Sequence, residues 1–280
     1  MSVRWDSPFS HSFAHRLFRQ HFTELNDMYW SFVPAANKTE QQIKKEERGK
    51  GTQPIDFFVV HDEDDRRIAG SFDAWERYYH LFQHFTRQNM ILALNSCFEV
   101  YLRSIVMLAI ESKPGVIFSS KDSIDGAQLL KCSKSYVKYS NGNPFNKHVQ
   151  SICSGTWDSR VKNYKKLFGA APDKLEQSKA DLDSKRKLRN KIEHQFGRYE
   201  SKDIIPVVIN AQPICPISHK SLLKYFALVD EVEFSIDKHL TKDFIVSYEV
   251  LKYCYKNKKI VDNPLVKEAA DRLKKELGDL

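Results

Sequence analysis

The chain has 280 residues, 41% of them hydrophobic, and its formal net charge is +8. This length and apolar content suffice for a sizeable buried core, in one large domain or in one domain with extensions. Lys and Arg side chains that neutralise phosphates release bound counterions, so the positive charge favours a polyanionic partner.

The composition also disfavours several classes of protein. The most apolar run, residues 90–110, is interrupted by polar and charged side chains that are costly in a bilayer, so it predicts a buried helix and not a membrane span. The first residues lack the pattern of a secretory signal. The cysteines are odd in number and form no CxxC pair: Cys97, Cys132, Cys153, Cys215 and Cys254. We therefore expect reduced thiols in a cytoplasmic protein that has no membrane partner.

Residues 1–70 predict one helix followed by polar, irregular chain. Residues 9–33 carry apolar side chains near helical spacing. Residues 34–54 almost lack large apolar side chains, which indicates a flexible linker or a marginal, solvated helix. Residues 55–60 (IDFFVV) favour a short strand or a buried extended segment. Residues 61–67 (HDEDDRR) predict a charged turn, whose clustered acids favour a solvated loop over a metal site.

A sustained apolar stripe at helical spacing runs from Ser71 to about Ser112 and predicts the central helix of a bundle. On this helix Asn95, Glu99 and Arg103 follow one another at i, i+4 positions, so they lie along one line. This polar line either edges a functional site or forms surface pairs of small energetic worth.

The remaining helices are predicted from the same periodicity. Their expected ranges are 145–153, 157–168, 173–197, 218–239, 243–255 and 264–277. The whole chain is therefore predicted to be all-α, an antiparallel bundle with additional N- and C-terminal helices. The predicted domains are an N-terminal helix with linker and turn over 1–70, a helical bundle over 71–240 and a C-terminal helical extension over 241–280.

The chemically most informative segment is the helix predicted from Asp173 to Gly197. Asp173 and Glu176 form a capping-box start, and Gly197 provides a left-handed stop. Apolar positions are few, so most of the helix surface is polar. That surface carries a basic set: Lys185, Arg186, Lys187, Arg189 and Lys191. We expect this basic set to contact a phosphate backbone.

Arg189, Asn190 and His194 are the candidate catalytic residues. On a helix Asn190 and His194 share a face, whereas Arg189 lies about 140° from His194 and must reach round to meet it. A second copy of the helix across a two-fold axis would form a cationic groove. Arg and His without metal ligands suit cleavage of RNA by its own 2′-hydroxyl, because Arg grips the phosphate while His moves a proton. No metal or cofactor is expected.

Spacing alone has little weight, because Arg16 and His21 repeat it. The segment LRNKIEHQFG (188–197), however, resembles the signature of the HEPN superfamily, in which Arg, usually followed by Asn, Asp or His, precedes a His on the third helix of a four-helix bundle. Two further segments resemble the early helix of these domains and their approach to the motif helix: NSCFEVYLRSIVMLAI (95–110) and NYKKLFG (163–169). The resemblance covers roughly residues 73–240.

The resemblance implies a HEPN-like four-helix bundle and a metal-independent endoribonuclease that acts as a homodimer, commonly a toxin or effector in bacterial antiviral defence. By position it makes Arg189 and His194 the catalytic pair, with Asn190 as their polar companion. Glu99 and Glu193 are candidate supporting residues. The RNA-binding candidates are Lys185, Arg186, Lys187 and Lys191.

Three alternatives remain open. The first is a catalytically inactive HEPN-like interaction or nucleotide-binding module that partners an antitoxin or another defence protein. The second is a purely structural role, in which Arg189 pairs with Glu193 and His194 caps the helix end. The third, a DNA-binding regulator, is disfavoured because the sequence lacks a helix-turn-helix pair with a tight turn.

Overall fold

The structure is a computed structural model that describes residues 10–45, 53–58, 67–117, 125–127, 129, 143, 145–199, 213–245 and 248–256. The regular secondary structure of these residues is helical throughout, which confirms the predicted all-α class. An isolated antiparallel bridge joins Arg198 and Ile214.

The helices are described here in chain order. They are α1 (Phe13–Lys45), α2 (Pro54–Phe57), α3 (Phe72–Ser112), a 3₁₀ turn (Pro114–Ile117), α4 (Asn146–Cys153), α5 (Trp157–Phe168), α6 (Asp173–Gln177), α7 (Lys179–Gln195), α8 (His219–Leu240), a π-helical turn (Thr241–Ile245) and α9 (Tyr248–Lys256). The helices predicted over 71–112, 145–153, 157–168 and 218–239 are thereby confirmed.

Of the two alternatives predicted for residues 34–54, a linker or a marginal helix, the structure shows the helix as far as Lys45, because α1 continues through Pro34. Pro34 removes one backbone hydrogen bond, but later residues of α1 have stabilising contacts. Ala36 and Ile43 are both buried. The carbonyl oxygen of Ala36 accepts a 2.6 Å hydrogen bond from the Tyr79 hydroxyl. The burial of these two side chains and the hydrogen bond from Tyr79 therefore stabilise the helical conformation of this polar stretch.

The predicted strand over residues 55–60 is wrong over its first part, which forms α2. Pro54 opens this short helix, a position where its missing N–H costs no hydrogen bond. The Asp56 carboxylate accepts a 2.9 Å hydrogen bond from the Gln53 backbone N–H, which closes the first turn. Val59, Val60 and residues 61–66 of the predicted charged turn lie outside the described residues.

The C-terminal helix predicted over 243–255 begins later than expected. The π-helical turn of residues 241–245 follows α8 directly, and α9 begins at Tyr248. The helix predicted over 264–277 lies outside the described residues.

The chain divides into two compact units. Unit one comprises Met1–Phe18, Glu99–Ala180 and Asp230–Leu280, and unit two comprises Arg19–Phe98 and Asp181–Val229. Long helices α1, α3 and α8 contribute residues to both. Fully buried side chains in unit one include Leu102, Ile105, Ile110, Ile152, Tyr164, Val232 and Ile236. Those in unit two include Ile91, Leu94, Leu182, Leu222, Tyr225 and Val229. The predicted domains over 1–70, 71–240 and 241–280 stay a prediction.

Among the described residues, α3 is the one helix long and apolar enough to cross a bilayer. The core helix of a soluble protein meets the same criterion of length and composition. The cytoplasmic location therefore stays a prediction.

Candidate functional site

The helix predicted over residues 173–197 is present but interrupted. Helix α6 ends at Gln177, and Ser178, which is buried, separates it from α7. The predicted capping box is wrong, because Pro172 is the N-cap and Asp173 is the first helical residue. Glu176 forms an ion pair with Lys165. The basic motif therefore lies on α7, a helix of 17 residues.

The predicted stop at Gly197 is confirmed, with φ of 65° at Gly197 and 51° at the preceding Phe196. The Gly197 carbonyl oxygen accepts hydrogen bonds from the Gln88 side chain at 2.9 Å and from the Cys215 backbone N–H at 2.7 Å. Gln88 is buried and also donates to the Cys215 carbonyl oxygen at 3.0 Å. A Cβ at Gly197 would lie 2.0 Å from Gln88 Oε1, so any other residue would force the Gln88 side chain to move. These contacts anchor the C-terminal end of α7.

Two of the basic side chains on α7 pair with one acid. Arg186 Nε donates to Asp183 Oδ1 at 2.8 Å, and Lys187 Nζ lies 3.4 Å from Asp183 Oδ2. The Lys187 side chain is 73% exposed. An exposed pair of this kind contributes about 0–1 kcal/mol, so a phosphate can replace the carboxylate at small cost.

Two other lysines of α7 lie over aromatic rings. Lys185 Nζ is 5.8 Å from the centre of the Tyr225 ring, and Lys191 Nζ is 5.0 Å from that of Tyr199. Tyr199 is exposed, as is Phe196 at 84% of its surface. Tyr225 is buried, so at the end of α7 it is Lys191 that lies beside an open aromatic ring, an arrangement that suits stacking of unpaired bases.

The structure brings Arg189, Asn190 and Glu193 together. Arg189 Nη1 lies 2.5 Å from Glu193 Oε2 and donates to Asn190 Oδ1 at 3.3 Å. His194 is exposed and has no hydrogen-bond or ion-pair partner among the residues that the structure describes. Within one chain, therefore, Arg189 contacts Glu193, while His194 remains open to solvent on the face of Asn190.

The polar line of α3 is occupied by structural partners. In unit two, Asn95 Oδ1 accepts a 2.7 Å hydrogen bond from the Tyr225 hydroxyl. In unit one, Glu99 lies 3.8 Å from Arg160, and Arg103 donates to the Gln150 side chain at 3.3 Å. Glu99 thus belongs to a different unit from the α7 residues, and its supporting role stays a prediction.

Cys153, also in unit one, is a poor nucleophile. Burial raises the pKa of its thiol to about 11, although the nearby Arg103 and Arg160 act in the opposite direction. The thiolate is the reactive form, so this cysteine is nearly inert at neutral pH. Cys97, Cys153 and Cys215 are free thiols in the structure, and Cys132 and the Cys254 side chain lie outside what it describes.

Sequence reasoning missed a buried polar cluster in unit one. It comprises His11, Ser12, His15, Tyr101, Glu233, Asp237, Thr241 and Glu249. Burial raises the pKa of Glu249 to about 7. Burial also raises the pKa of Tyr101, and Glu233 and Asp237 add to that rise. A local signal existed for Glu233 and Asp237, whose i, i+4 spacing aligns them on α8, whereas His11 precedes α1 and its approach to His15 has no helical signal.

No family model, curated protein or solved structure matches this chain. The HEPN resemblance therefore depends on the segments 95–110, 163–169 and 188–197 and stays a prediction. The function has to be argued from the geometry of the residues themselves.

Proposed function

We propose that the protein is a metal-independent endoribonuclease of the HEPN type, built on an antiparallel four-helix bundle. Arg189, Asn190 and His194 would form its catalytic group. The 2′-hydroxyl of the RNA attacks the adjacent phosphorus, the bond to the 5′-oxygen breaks, and the products are a 2′,3′-cyclic phosphate and a 5′-hydroxyl.

The observation that carries this proposal is the state of His194. A proton-transfer group must come within hydrogen-bond reach of the reacting oxygens, and an exposed imidazole is accessible to them. The His194 side chain is exposed, lacks a partner among the described residues, and follows a run of basic side chains on α7. Asn190 precedes it by one helical turn and can orient either the imidazole or a phosphate oxygen.

The surroundings of His194 support RNA as the substrate. Lys187 and Lys191 supply charge for the phosphate backbone, with Lys185 and Arg186 further along the helix. The open aromatic rings of Phe196 and Tyr199 follow the motif and suit unpaired bases. These features favour single-stranded RNA or loops over a double helix.

Arg189 must leave Glu193 to grip a phosphate. The two side chains are 29% and 44% exposed, so their pairing contributes about 0–1 kcal/mol and a phosphate can compete for the guanidinium. The helical angle between Arg189 and His194 also separates them within one chain. A homodimer would solve this problem by placing His194 of one copy near Arg189 of the other, and we include it in the proposal.

The test is cleavage of a single-stranded RNA in EDTA, with the product ends identified. We expect His194→Ala to lower the cleavage rate on the order of 100-fold or more, because proton transfer in the transition state is lost. The matched control is His21→Ala, which removes an exposed histidine of α1 that lies 3.7 Å from Glu24. Circular dichroism in the same buffer checks that the chelator leaves the fold intact. Equal cleavage by wild type and His194→Ala would show that the proposal is wrong.

A second candidate is a non-catalytic HEPN-like module that binds an antitoxin, a nucleotide or another defence protein. The Arg189–Glu193 ion pair favours it, because this contact gives the arginine a purely structural partner. Expression in bacteria separates the two candidates. A catalytic toxin loses growth inhibition in the Arg189→Ala, His194→Ala double variant, whereas equal inhibition by wild type and double variant supports the non-catalytic module.

A further inference from the structure

We propose that His11, His15, Glu233 and Asp237 of unit one bind a divalent first-row transition metal ion. This inference is independent of the RNA site on α7. It rests on the convergence of two imidazoles and two carboxylates from segments more than 200 residues apart in the chain.

The donor atoms already face one another. His11 Nδ1 lies 2.9 Å from Asp237 Oδ2, and His15 Nδ1 lies 2.9 Å from Glu233 Oε1. The two imidazole rings stack with their centres 4.2 Å apart. One ligand atom from each of His11, His15 and Asp237 falls within 4.8 Å of the other two. Metal–ligand bonds of about 2.0–2.2 Å require ligand atoms roughly 3–3.5 Å apart, so His11, His15 and Asp237 would have to move closer on binding, and Glu233 would join through its contact with His15.

The carboxylate of Asp237 is oriented by other groups. Its Oδ1 atom accepts hydrogen bonds from the Ser12 hydroxyl at 2.5 Å, the Ser12 backbone N–H at 3.3 Å and the Thr241 hydroxyl at 3.3 Å. These donors leave Oδ2 directed towards His11. Outer hydrogen bonds of this kind are the usual way in which proteins position a metal-binding carboxylate.

The carboxylates of the cluster are buried, which makes their negative charge costly unless positive charge lies nearby. Glu233 and Asp237 are 0% exposed and Glu249 is 3% exposed. A buried carboxylate requires nearby positive charge, since it loses its hydration. Arg16 lies within electrostatic reach of Glu249. A divalent cation bound by His11, His15 and Asp237 would place positive charge beside the buried Asp237 carboxylate.

Glu249 provides an independent observation. Its Oε2 atom accepts a 2.9 Å hydrogen bond from the backbone N–H of Phe13, which lies between the two histidines. Its Oε1 atom is buried and has no hydrogen-bond partner among the residues that the structure describes. Buried carboxylate oxygens are rarely left unsatisfied, and an ion or an ion-bound water is a normal reason for such an atom.

The donor set limits the kind of metal. Two nitrogens and two carboxylate groups suit Zn²⁺, Mn²⁺, Fe²⁺ or Co²⁺, whereas Mg²⁺ and Ca²⁺ prefer oxygen ligands only. The absence of a cysteine from the cluster disfavours Cu⁺ and iron–sulfur clusters. The ion would link the start of α1 to α8 within unit one and so stabilise the fold. This structural role leaves the proposed RNA cleavage on α7 independent of metal.

The experiment uses the full chain, stripped with a chelator, dialysed and titrated with Co²⁺ and then Zn²⁺. We expect visible Co²⁺ absorption bands that Zn²⁺ abolishes, a stoichiometry of about one ion per chain, and a higher melting temperature with Zn²⁺. Asp237→Asn keeps the size and most hydrogen bonds of the side chain but removes its charge. Both Asp237→Asn and His15→Gln should weaken Zn²⁺ binding on the order of 100-fold.

The control is His21→Gln, which should bind Zn²⁺ as tightly as wild type, because His21 pairs with Glu24 outside the cluster. Circular dichroism identifies any variant that has lost its fold. If His15→Gln has lost its fold, the Zn²⁺ affinity of the conservative Asp237→Asn variant is the test of the proposal. Failure of wild type to bind Co²⁺ or Zn²⁺ would overturn the proposal. So would Zn²⁺ affinities that are equal in wild type, Asp237→Asn and His21→Gln, since this would indicate adventitious binding to surface histidines.

Discussion

The basic surface of α7 and the buried cluster of unit one contain similar pairs of charged side chains, but the two regions differ in how far solvent reaches these pairs. On α7, Arg189 and Glu193 pair across one turn of helix and remain partly exposed. In the cluster, His11 pairs with Asp237 across 226 residues of sequence, and the aspartate is fully buried. Water screens the first contact more than the second, because the Asp237 carboxylate is 0% exposed although the His11 side chain is 32% exposed. The α7 pairs are therefore easily exchanged for a ligand, whereas the cluster pairs are part of the fold.

The largest difference in stability between the two regions is expected when one aspartate of each is replaced by alanine. Asp237→Ala should lower the free energy of unfolding by about 3–5 kcal/mol, because it leaves buried partners without a counter-charge. The matched change on α7, Asp183→Ala, should cost about 0–1 kcal/mol. Urea denaturation in EDTA measures both without any contribution from bound metal. Similar losses in the two variants would contradict the comparison.

The turn that ends α7 gives an intermediate effect. Gly197→Ala should destabilise the protein by more than the roughly 1–2 kcal/mol that a left-handed backbone costs an ordinary residue, because its Cβ would also collide with Gln88. Gly155→Ala is the control, since Gly155 has φ of 87° with nothing within 4 Å of an added Cβ. Thermal unfolding compares the two variants. An equal loss of stability would show that Gln88 yields and that the anchor of α7 is weak.

The smallest effect on stability is expected for Glu193→Gln. Loss of its exposed ion pair with Arg189 should change the free energy of unfolding by about 0–1 kcal/mol. RNA binding should become tighter by a few-fold, because the guanidinium is released and a negative charge is removed from the surface. Fluorescence anisotropy with labelled RNA at fixed salt concentration measures this. Weaker RNA binding by the variant would indicate that Glu193 positions Arg189 for its ligand.

Several features of the fold were predictable because they depend on neighbouring residues. The apolar stripes of α3 and α8 predicted those helices, since a helix buries one face at a fixed period. Gly197 predicted the end of α7, because glycine alone adopts a left-handed conformation without strain. The pairing of Arg189 with Glu193 was one of the open alternatives, and it follows from their i, i+4 spacing.

Other features depended on distant residues and could not be predicted in this way. The polar stretch after Pro34 stays helical through the burial of Ala36 and Ile43, whereas its composition alone left a linker and a marginal helix both open. Likewise, the sequence predicted a single helix that begins with a capping box, whereas the structure has an N-cap at Pro172 and a break at Ser178. In each case, tertiary contacts outweighed the local conformational preference of the sequence.

The sequence by itself determined where the helices of α3, α5 and α8 lie and which side chains share a face on α7, because these properties arise within a few turns of chain. The tertiary structure alone decided that His11 and His15 face Glu233 and Asp237. The same histidines on an exposed segment would be solvated. Only folding brings one ligand atom from each of His11, His15 and Asp237 within 4.8 Å of the other two, and this convergence is what makes the cluster a candidate metal site.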